Sequence, residues 1–414
     1  MAMPARADRL EPPRTIAPTR LATPVLTIAS PRFRSLLVEE AGARFSTGNH
    51  VKPLLSGAAS FGARERLILE AEHSIHLQTF IFDSDATGAH TAKLLAQRAS
   101  DGLKVRVLID AMGSARANPH QFQMMREAGA EVRMRPWSSG NHRWHEKYLI
   151  TDYRHVIKGG LNIADEYAAG GSEYIKDGTL RYGWRDADIL VTGPAVRDLQ
   201  RSWQRNWARL GPDISEEEER IMLGSLPRYH DGVEVAVVQS HPRDGELART
   251  SELLYYSFAA AQYEINIENA YLFPPPDTRQ ALIDAAHRGV RVRILTNSWR
   301  GSDYRLLNEV AVDAKRELLD AGVEIYESPS MLHSKTVTVD RTLAIVGSAN
   351  LNGRGRYCDG ECLTATWDPT LARTLDQHME HQLPVTHFLM REDLKRPLWR
   401  RAANFLLRPI YHSL

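Results

Sequence analysis

Two eighteen-residue stretches of this 414-residue chain hold the side chains best suited to chemistry. HEKYLITDYRHVIKGGLN runs from His145 to Asn162, and HSKTVTVDRTLAIVGSAN from His333 to Asn350. Both open on His, with Lys two residues on, Asp seven on, Gly fourteen on and Asn seventeen on. An imidazole, an ammonium and an amide beside glycine-lined backbone suit a phosphodiester. Lys147, Lys335, Asn162, Asn350 and the Ser348 hydroxyl offer charge and hydrogen bonds to non-bridging oxygens. One neutral His can attack phosphorus and become a covalent phosphohistidine. A second, protonated His can donate to the departing alkoxide and then deprotonate an incoming alcohol or water. Each copy has one such His, so the duplication supplies both roles, provided the two imidazoles titrate apart. A lone H-x-K would carry little weight. Two copies agreeing at five spaced positions carry a great deal, although they leave open which His is the nucleophile.

The elements that position these groups are also legible. KYLITD and KTVTVD read as strands, so His145 and Lys147 share a face, as do His333 and Lys335. A tight turn at Asp152-Tyr153 or Asp340-Arg341 leads into a second apolar strand. Such a hairpin brings Gly159, Gly160 and Asn162 back beside His145, and Gly347, Ser348 and Asn350 beside His333. Asp152 and Asp340 fall on the opposite parity from their His. That parity points to bonding of turn amides rather than to attack on substrate.

The repeat extends upstream. GLKVRVLID (Gly102 to Asp110) matches GVRVRILTN (Gly289 to Asn297), and SIHLQTFIFD matches EINIENAYLF. Each half reads strand, helix, strand, helix, strand, then motif, which predicts an α/β layer fold. We expect a mobile arm over 1–30, a first domain over 31–212, a solvated linker over 213–230 around EEEERIMLG, a second domain over 231–388 and a basic amphipathic tail over 389–414. Leu199, Trp203 and Trp207 recur at helical spacing and are expected in the core.

Composition limits the partners. Apolar residues make up 43% of the chain and the net charge is +1, from 52 basic and 51 acidic residues. That balance gives no global attraction to nucleic acid, and none is expected as a partner. Cys358 and Cys362 read as free thiols. No stretch has the roughly 18 apolar residues of a membrane span, so membrane contact is expected to be peripheral, with the LKRPLWRRAANFLLRPIYHSL tail as an anchor. The sixteen histidines show no metal-binding spacing, and no metal or cofactor is expected.

The motif H-x-K-x4-D-x6-G-S/G-x-N resembles that of the phospholipase D superfamily. Together with FSTGNHVKPLLSGAASF, IFDSDATG, VRVLIDAMGS, GGLNIADEY and YGWRDADILVTGPAV, it is similar to the bacterial cardiolipin synthases of the soluble-form second type, from about Arg44 to Thr386. The resemblance implies two homologous α/β/α sandwich halves related by pseudo-twofold symmetry, with one active site at their interface. It implies a catalytic set of His145, Lys147, Asp152, His333, Lys335 and Asp340, with the first-half His the usual nucleophile. It adds acidic partners that orient the imidazoles, matched here by Asp186 and Glu361, and puts Gly160 where Ser is usual. The implied reaction moves a phosphatidyl group from phosphatidylglycerol or phosphatidylethanolamine to an alcohol, at the cytoplasmic side of the membrane. A hydrolase acting on lipid or nucleic acid is the alternative, and a non-catalytic lipid-binding scaffold a third reading. One departure stands out: the basic run usual around the first His reads NHRWHEK, with Glu146 inside it. His142 lies close but has no Lys two residues on.

Overall fold

The duplicated β-branched segments pair into one continuous sheet. In the computed structural model of the chain, residues 26–137, 142–176, 178–224 and 226–395 are described. The first half contributes β1 (Ser46–Leu54), β2 (Ser74–Thr79), β3 (Lys104–Asp110), β4 (Glu131–Arg135), β5 (Tyr148–Thr151), β6 (His155–Gly159), a small hairpin of β7 (Glu173–Lys176) and β8 (Thr179–Tyr182), and β9 (Asp188–Thr192). The second contributes β10 (Val233–Ser240), β11 (Glu264–Asn269), β12 (Arg291–Asn297), β13 (Glu324–Ser328), β14 (Lys335–Val339), β15 (Leu343–Gly347), β16 (Glu361–Trp367) and β17 (His387–Phe388). Across the 15-stranded sheet the order is β4-β3-β2-β5-β6-β9-β1, then β10-β16-β15-β14-β11-β12-β13-β17. Outward from the centre, each half repeats the other, with β17 as an addition. The equivalent strands β1 and β10 run antiparallel at the seam, with a bulge between Ser46 and Asn49. This is the expected pair of α/β/α halves about a pseudo-twofold axis.

Both motif strands are buried along their whole length. They lie inside a sheet covered by helices on both faces, so they run apolar on both sides. One face of the first half packs Leu67, Leu95 and Phe122 from its helices over Ile75, Val107 and Leu149. The other face forms a core shared between halves. There Leu199, Trp203 and Trp207 of helix Ala195–Ala208 meet Val235, Val346, Cys362 and Leu375 from the second half. The halves are therefore not beads on a linker; they bury apolar surface against each other.

The hairpins turn where predicted, but with three residues rather than two between the last pairs, Thr151 with His155 and Val339 with Leu343. Tyr148 pairs with Lys158 and Thr336 with Val346. Asp152 and Tyr153 have φ of 51° and 55°, and Asp340 and Arg341 have 50° and 52°. Both central residues are left-handed, as a type I′ turn requires, and the Arg154 and Thr342 N–H groups close the turns on the Thr151 and Val339 carbonyls at 2.9 and 3.1 Å. For non-glycine residues that conformation costs about 1–2 kcal/mol each. The aspartates offset it. The Asp152 carboxylate accepts the N–H groups of Glu72, His73 and Ser74 at 2.9, 2.8 and 2.9 Å. Asp340 accepts those of Gln262, Tyr263 and Glu264 at 2.9, 2.8 and 3.0 Å. Charge-assisted bonds of this kind contribute about 1.5–3 kcal/mol each, enough to hold the turn and lock it to the strand alongside.

Three boundaries shift. Helix Pro31–Ala41, expected in the first domain, buries Phe33, Leu36 and Leu37 in the core of the second half beside Leu253 and Phe258. It precedes the seam strand β1, and Gly42 at φ 66° ends it against that core. The expected linker contains helix Glu216–Leu223, whose Glu218 reaches back to Arg106 at 2.7 Å and Lys104 at 3.0 Å. Glu218 is thus a docked acid rather than part of a solvated run. Of the expected tail, Leu389 and Leu394 enter the second-half core. The rest of it, from residue 396, and the expected arm up to residue 25 lie outside the described residues. Both cysteines are buried, and neither is in a disulfide among the described residues. No helix among the described residues is long and apolar enough to cross a membrane.

Candidate active site

Each catalytic-type histidine is held by the half it does not belong to. The segment ahead of β5 bridges to Gly360: the His145 N–H donates to the Gly360 carbonyl at 2.8 Å, and the Gly360 N–H to the Arg143 carbonyl at 2.7 Å. The segment ahead of β14 makes the mirror contact. There the His333 N–H donates to the Arg185 carbonyl at 2.6 Å, and the Arg185 N–H to the Met331 carbonyl at 3.0 Å. The residue after each bridge is an acid. Glu361 therefore faces His145, with carboxylate oxygens 3.1 and 3.3 Å from Nδ1. Asp186 faces His333, with Oδ2 2.6 Å from Nδ1.

These partners set the tautomers. The Ser348 carbonyl, which can only accept, lies 3.1 Å from His145 Nδ1. His145 Nδ1 must then carry the proton, leaving the Nε2 lone pair for attack. Asp186 does the same for His333. Lys147 and Lys335 each donate to the carbonyl of their own His. An ammonium has three protons, so each keeps donors for a ligand. All four residues are buried: His145, Lys147, His333 and Lys335 are 5%, 1%, 4% and 3% exposed.

Burial of four basic groups together lowers their proton affinities. Desolvation, then the charge of Lys147, holds His145 well below the usual imidazole range. His333 is brought to about 4 by burial and Lys335, with Asp186 opposing. Burial brings Lys147 to about 7 and Lys335 to about 8. The two acids diverge. Burial pushes Glu361 up to about 7. Burial also pushes Asp186 upward, but the charge and hydrogen bond of His333 outweigh it and hold Asp186 below its ordinary value. A phosphodiester anion placed among these groups would raise the proton affinity of every basic group.

The remaining predicted residues separate by role. Asp152 and Asp340 do not enter the cluster. Their carboxylates are consumed by backbone N–H groups at the far end of the hairpins, because odd parity turns them from the His face. Their place in the catalytic set is corrected to a structural one. The Ser348 hydroxyl donates to Glu361 and accepts the Cys362 N–H at 3.0 Å. Its single proton goes to the acid and not to a phosphate. Asn162 accepts the Ile81 N–H at 3.0 Å and donates to the Tyr167 hydroxyl at 2.8 Å, so it is largely tied to the scaffold. Asn350 is half-buried, and its Oδ1 has no hydrogen-bond partner among the described residues.

Gly160 has a specific reason to be glycine. A Cβ there would lie 2.1 Å from Asp186 Oδ1. Its counterpart in the other half, Ser348, supports the longer acid Glu361. We expect Gly160→Ala to push Asp186 off His333 and lower kcat by about 10²-fold or more, measured as phospholipid turnover by protein with unchanged far-ultraviolet circular dichroism.

Sequence reading missed the aromatic walls. Phe80 lies edge-on to His145 with centroids 5.3 Å apart, while Tyr167 and Trp184 lie 5.2 and 5.6 Å from His333. Tyr167 follows the first motif closely, but nothing local showed that it would face the other half's His. Glu146, the departure in the motif, is fully buried away from the reacting groups. It accepts from Gln239 at 2.9 Å and Asn206 at 3.1 Å, and lies 2.8 Å from His241 Nε2. It makes no hydrogen bond to the histidines and lysines of the two motifs among the described contacts, and acts on Lys147 and Glu361 through its charge alone.

Comparisons with known proteins identify the family. The family model described as "Cardiolipin synthase, PLD-like domain" matches residues 65–175 and 255–383. A cardiolipin synthase of Halalkalibacterium halodurans is 30% identical over 370 residues, covering 86% of this chain and 70% of that protein. Cardiolipin synthase A of Pseudomonas fluorescens is 30% identical over 358 residues, covering 83% and 71%. Among solved structures, phosphatidylserine synthase of Haemophilus influenzae superposes with a TM-score of 0.72 at 15% identity, covering 92% of this chain and 98% of that one, a likeness of fold. The matched residues include both H-x-K hairpins, and the chain belongs to the phospholipase D-like family of the cardiolipin synthases, as a phosphatidyl-transferring enzyme of the phospholipase D type.

Proposed function

We propose that the chain transfers the phosphatidyl group of phosphatidylglycerol or phosphatidylethanolamine to the hydroxyl of a second phospholipid, forming cardiolipin. We assign His145 as the nucleophile and His333 as the acid and base. The observation that carries this is the unequal pair of acids. Asp186, held ionised, favours a proton on His333. Glu361, pushed toward its neutral form, leaves His145 uncharged and able to attack. His145 Nε2 forms a bond to phosphorus as the bond to the headgroup oxygen breaks, and His333 gives that oxygen its proton. The acceptor hydroxyl then returns a proton to His333 as its oxygen displaces His145 from phosphorus. Lys147, Lys335 and Asn350 hold the non-bridging oxygens throughout. The cytoplasmic face of the membrane is the proposed place of action, reached peripherally.

Purified protein incubated with vesicles of labelled phosphatidylglycerol should release cardiolipin and glycerol. Phosphatidic acid alone would instead favour the hydrolase reading, with water as acceptor. DNA cleavage without lipid turnover would sink both lipid readings.

The pH dependence has a definite sign. The lysines bind an anion only when protonated. kcat/KM, which reports the free enzyme, should therefore fall as pH rises, first above about 4, where His333 loses the proton it must give, and more steeply through about 7 to 8, where the lysines lose theirs. His145 must be neutral to attack and holds its proton only well below 6.5, so the acid limb should lie well below that pH. A profile flat to pH 10 would show that the lysine charges are not needed.

A further inference from the structure

A second cluster lies behind the first. His142 Nδ1 is 3.7 Å from Asp244 Oδ1, and His241 Nδ1 is 3.6 Å from Asp244 Oδ2. One ligand atom from each of the three residues falls within 4.8 Å of the others. Both imidazoles are buried, His142 at 4% and His241 at 1% exposure. His241 Nδ1 and His142 Nε2 have no hydrogen-bond partner among the described residues. Burying a polar nitrogen unpaired costs about 1–3 kcal/mol, so the unpaired Nδ1 of His241, which faces Asp244, asks what it serves.

The surroundings supply the rest of a metal site. The His241 Nε2–H faces the Glu146 carboxylate at 2.8 Å, which fixes the tautomer and directs the Nδ1 lone pair toward Asp244 and His142. Glu146 is itself held by Gln239, Asn206 and Gln78. A buried carboxylate behind an imidazole is the usual support for a ligating His. Asp244 Oδ2 also accepts from Arg209 Nη1 at 2.7 Å, which leaves Oδ1 free toward His142. The Arg209 charge is further matched by Glu246 at 2.9 Å, and Arg135 beside His142 by Asp110 at 3.2 Å. Ligands at about 2.0–2.1 Å around a tetrahedral ion stand about 3.3 Å apart, so the His142–Asp244 spacing needs to close by a few tenths of an ångström, and donor atoms lying up to 4.8 Å apart by up to about 1.5 Å.

We propose that His142, His241 and Asp244 bind a divalent cation of the zinc class, with a water as fourth ligand. Two imidazoles and one carboxylate suit Zn²⁺ and not the all-oxygen preferences of Mg²⁺ or Ca²⁺. The site is structural. His142 precedes His145 by three residues in the first half, while His241 and Asp244 come from the second half. The ion would clamp the two halves together just behind the nucleophile. Gly360, whose carbonyl receives the His145 N–H, packs so closely on His241 that a Cβ there would lie 2.4 Å from the ring. The clamp therefore bears directly on the position of His145. It also gives Glu146 a purpose within the motif. No local spacing could reveal the site, because its ligands lie in different halves.

The test is to strip the full chain with a chelator and titrate it with ZnCl2 alone, by calorimetry and thermal unfolding. The expected result is one Zn²⁺ per chain with a raised Tm, no comparable response to MgCl2, and at least about tenfold weaker binding in His142→Gln and in Asp244→Asn. His145→Ala should bind Zn²⁺ as the parent does. Absence of binding at micromolar Zn²⁺, binding unaffected by both site substitutions, or binding lost in His145→Ala would each overturn the proposal. Both variants should keep the parent far-ultraviolet circular dichroism, which separates loss of a ligand from loss of fold.

Discussion

His145→Ala should abolish turnover of every substrate, whereas His333→Ala should abolish turnover of natural phospholipids and still react once with an activated one. Both imidazoles are buried in the same cluster, but their partners give them different tasks. Removing the nucleophile removes the only path to a covalent intermediate, an expected loss on the order of 10⁴-fold or more. Removing the acid costs about 10²–10⁴-fold with an alkoxide leaving group. It costs little with a p-nitrophenyl ester, whose leaving group departs without a proton. The second step still needs a base, so His333→Ala should accumulate phosphatidyl-His145. Rapid quench of that variant with labelled p-nitrophenyl phosphatidyl ester, followed by peptide mapping, reads the label directly. Label on His145 supports the assignment. Trapping in His145→Ala and not in His333→Ala would reverse the two roles, and full activity in either variant would refute a shared site.

Asp186→Asn should be nearly as damaging as loss of His333, while Glu361→Gln should be mild. Asp186 is ionised and bonds His333 Nδ1 at 2.6 Å. An amide can present its own N–H there and stabilise the wrong tautomer, and it cannot balance an imidazolium. Losses of about 10⁴-fold accompany such a change in a catalytic imidazole. Glu361 is already driven toward the neutral form, and the Ser348 carbonyl independently fixes the His145 tautomer. Glutamine there should cost less than about tenfold by the same reasoning. The comparison of kcat for the two variants, with the basic limb of the pH profile, decides the matter. A first-half substitution would thus disable a second-half histidine. If Asp186→Asn retained kcat within tenfold of the parent, the pairing would carry no catalytic weight.

Much of this was readable before any coordinates. The hairpins themselves followed from the period of a strand and a tight turn, and Tyr148↔Lys158 and Thr336↔Val346 return the glycines to the His end, one residue further on than a two-residue turn would put them. The parity of Asp152 and Asp340 already turned them from the His face, and the structure shows where their carboxylates go. Leu199, Trp203 and Trp207 are buried as their spacing implied. Less legible was anything set by contacts across the seam. Helix Pro31–Ala41 precedes the first half in sequence but packs on the second, because β1 lies at the boundary and what comes before it falls on the other side. Ser348 reads as a phosphate ligand until Glu361 is seen to take its proton. Gly160 reads as a loose match to the motif until a Cβ is placed against Asp186.

The sequence by itself determined the duplication and the two H-x-K hairpins, and it carried the expectation that both histidines serve one reaction. Strand parity, turn chemistry and periodicity are local, and a repeat displays them twice. Only the tertiary structure decided that the acids are exchanged, Asp186 to His333 and Glu361 to His145. The reason is physical. The bridges Trp144 to Gly360 and Arg185 to Leu332 run between halves; burial pushes both carboxyls up, and only for Asp186 do the charge and hydrogen bond of His333 outweigh it. Pseudo-symmetry in the chain made the two sites look alike. The seam between the halves is what makes them different.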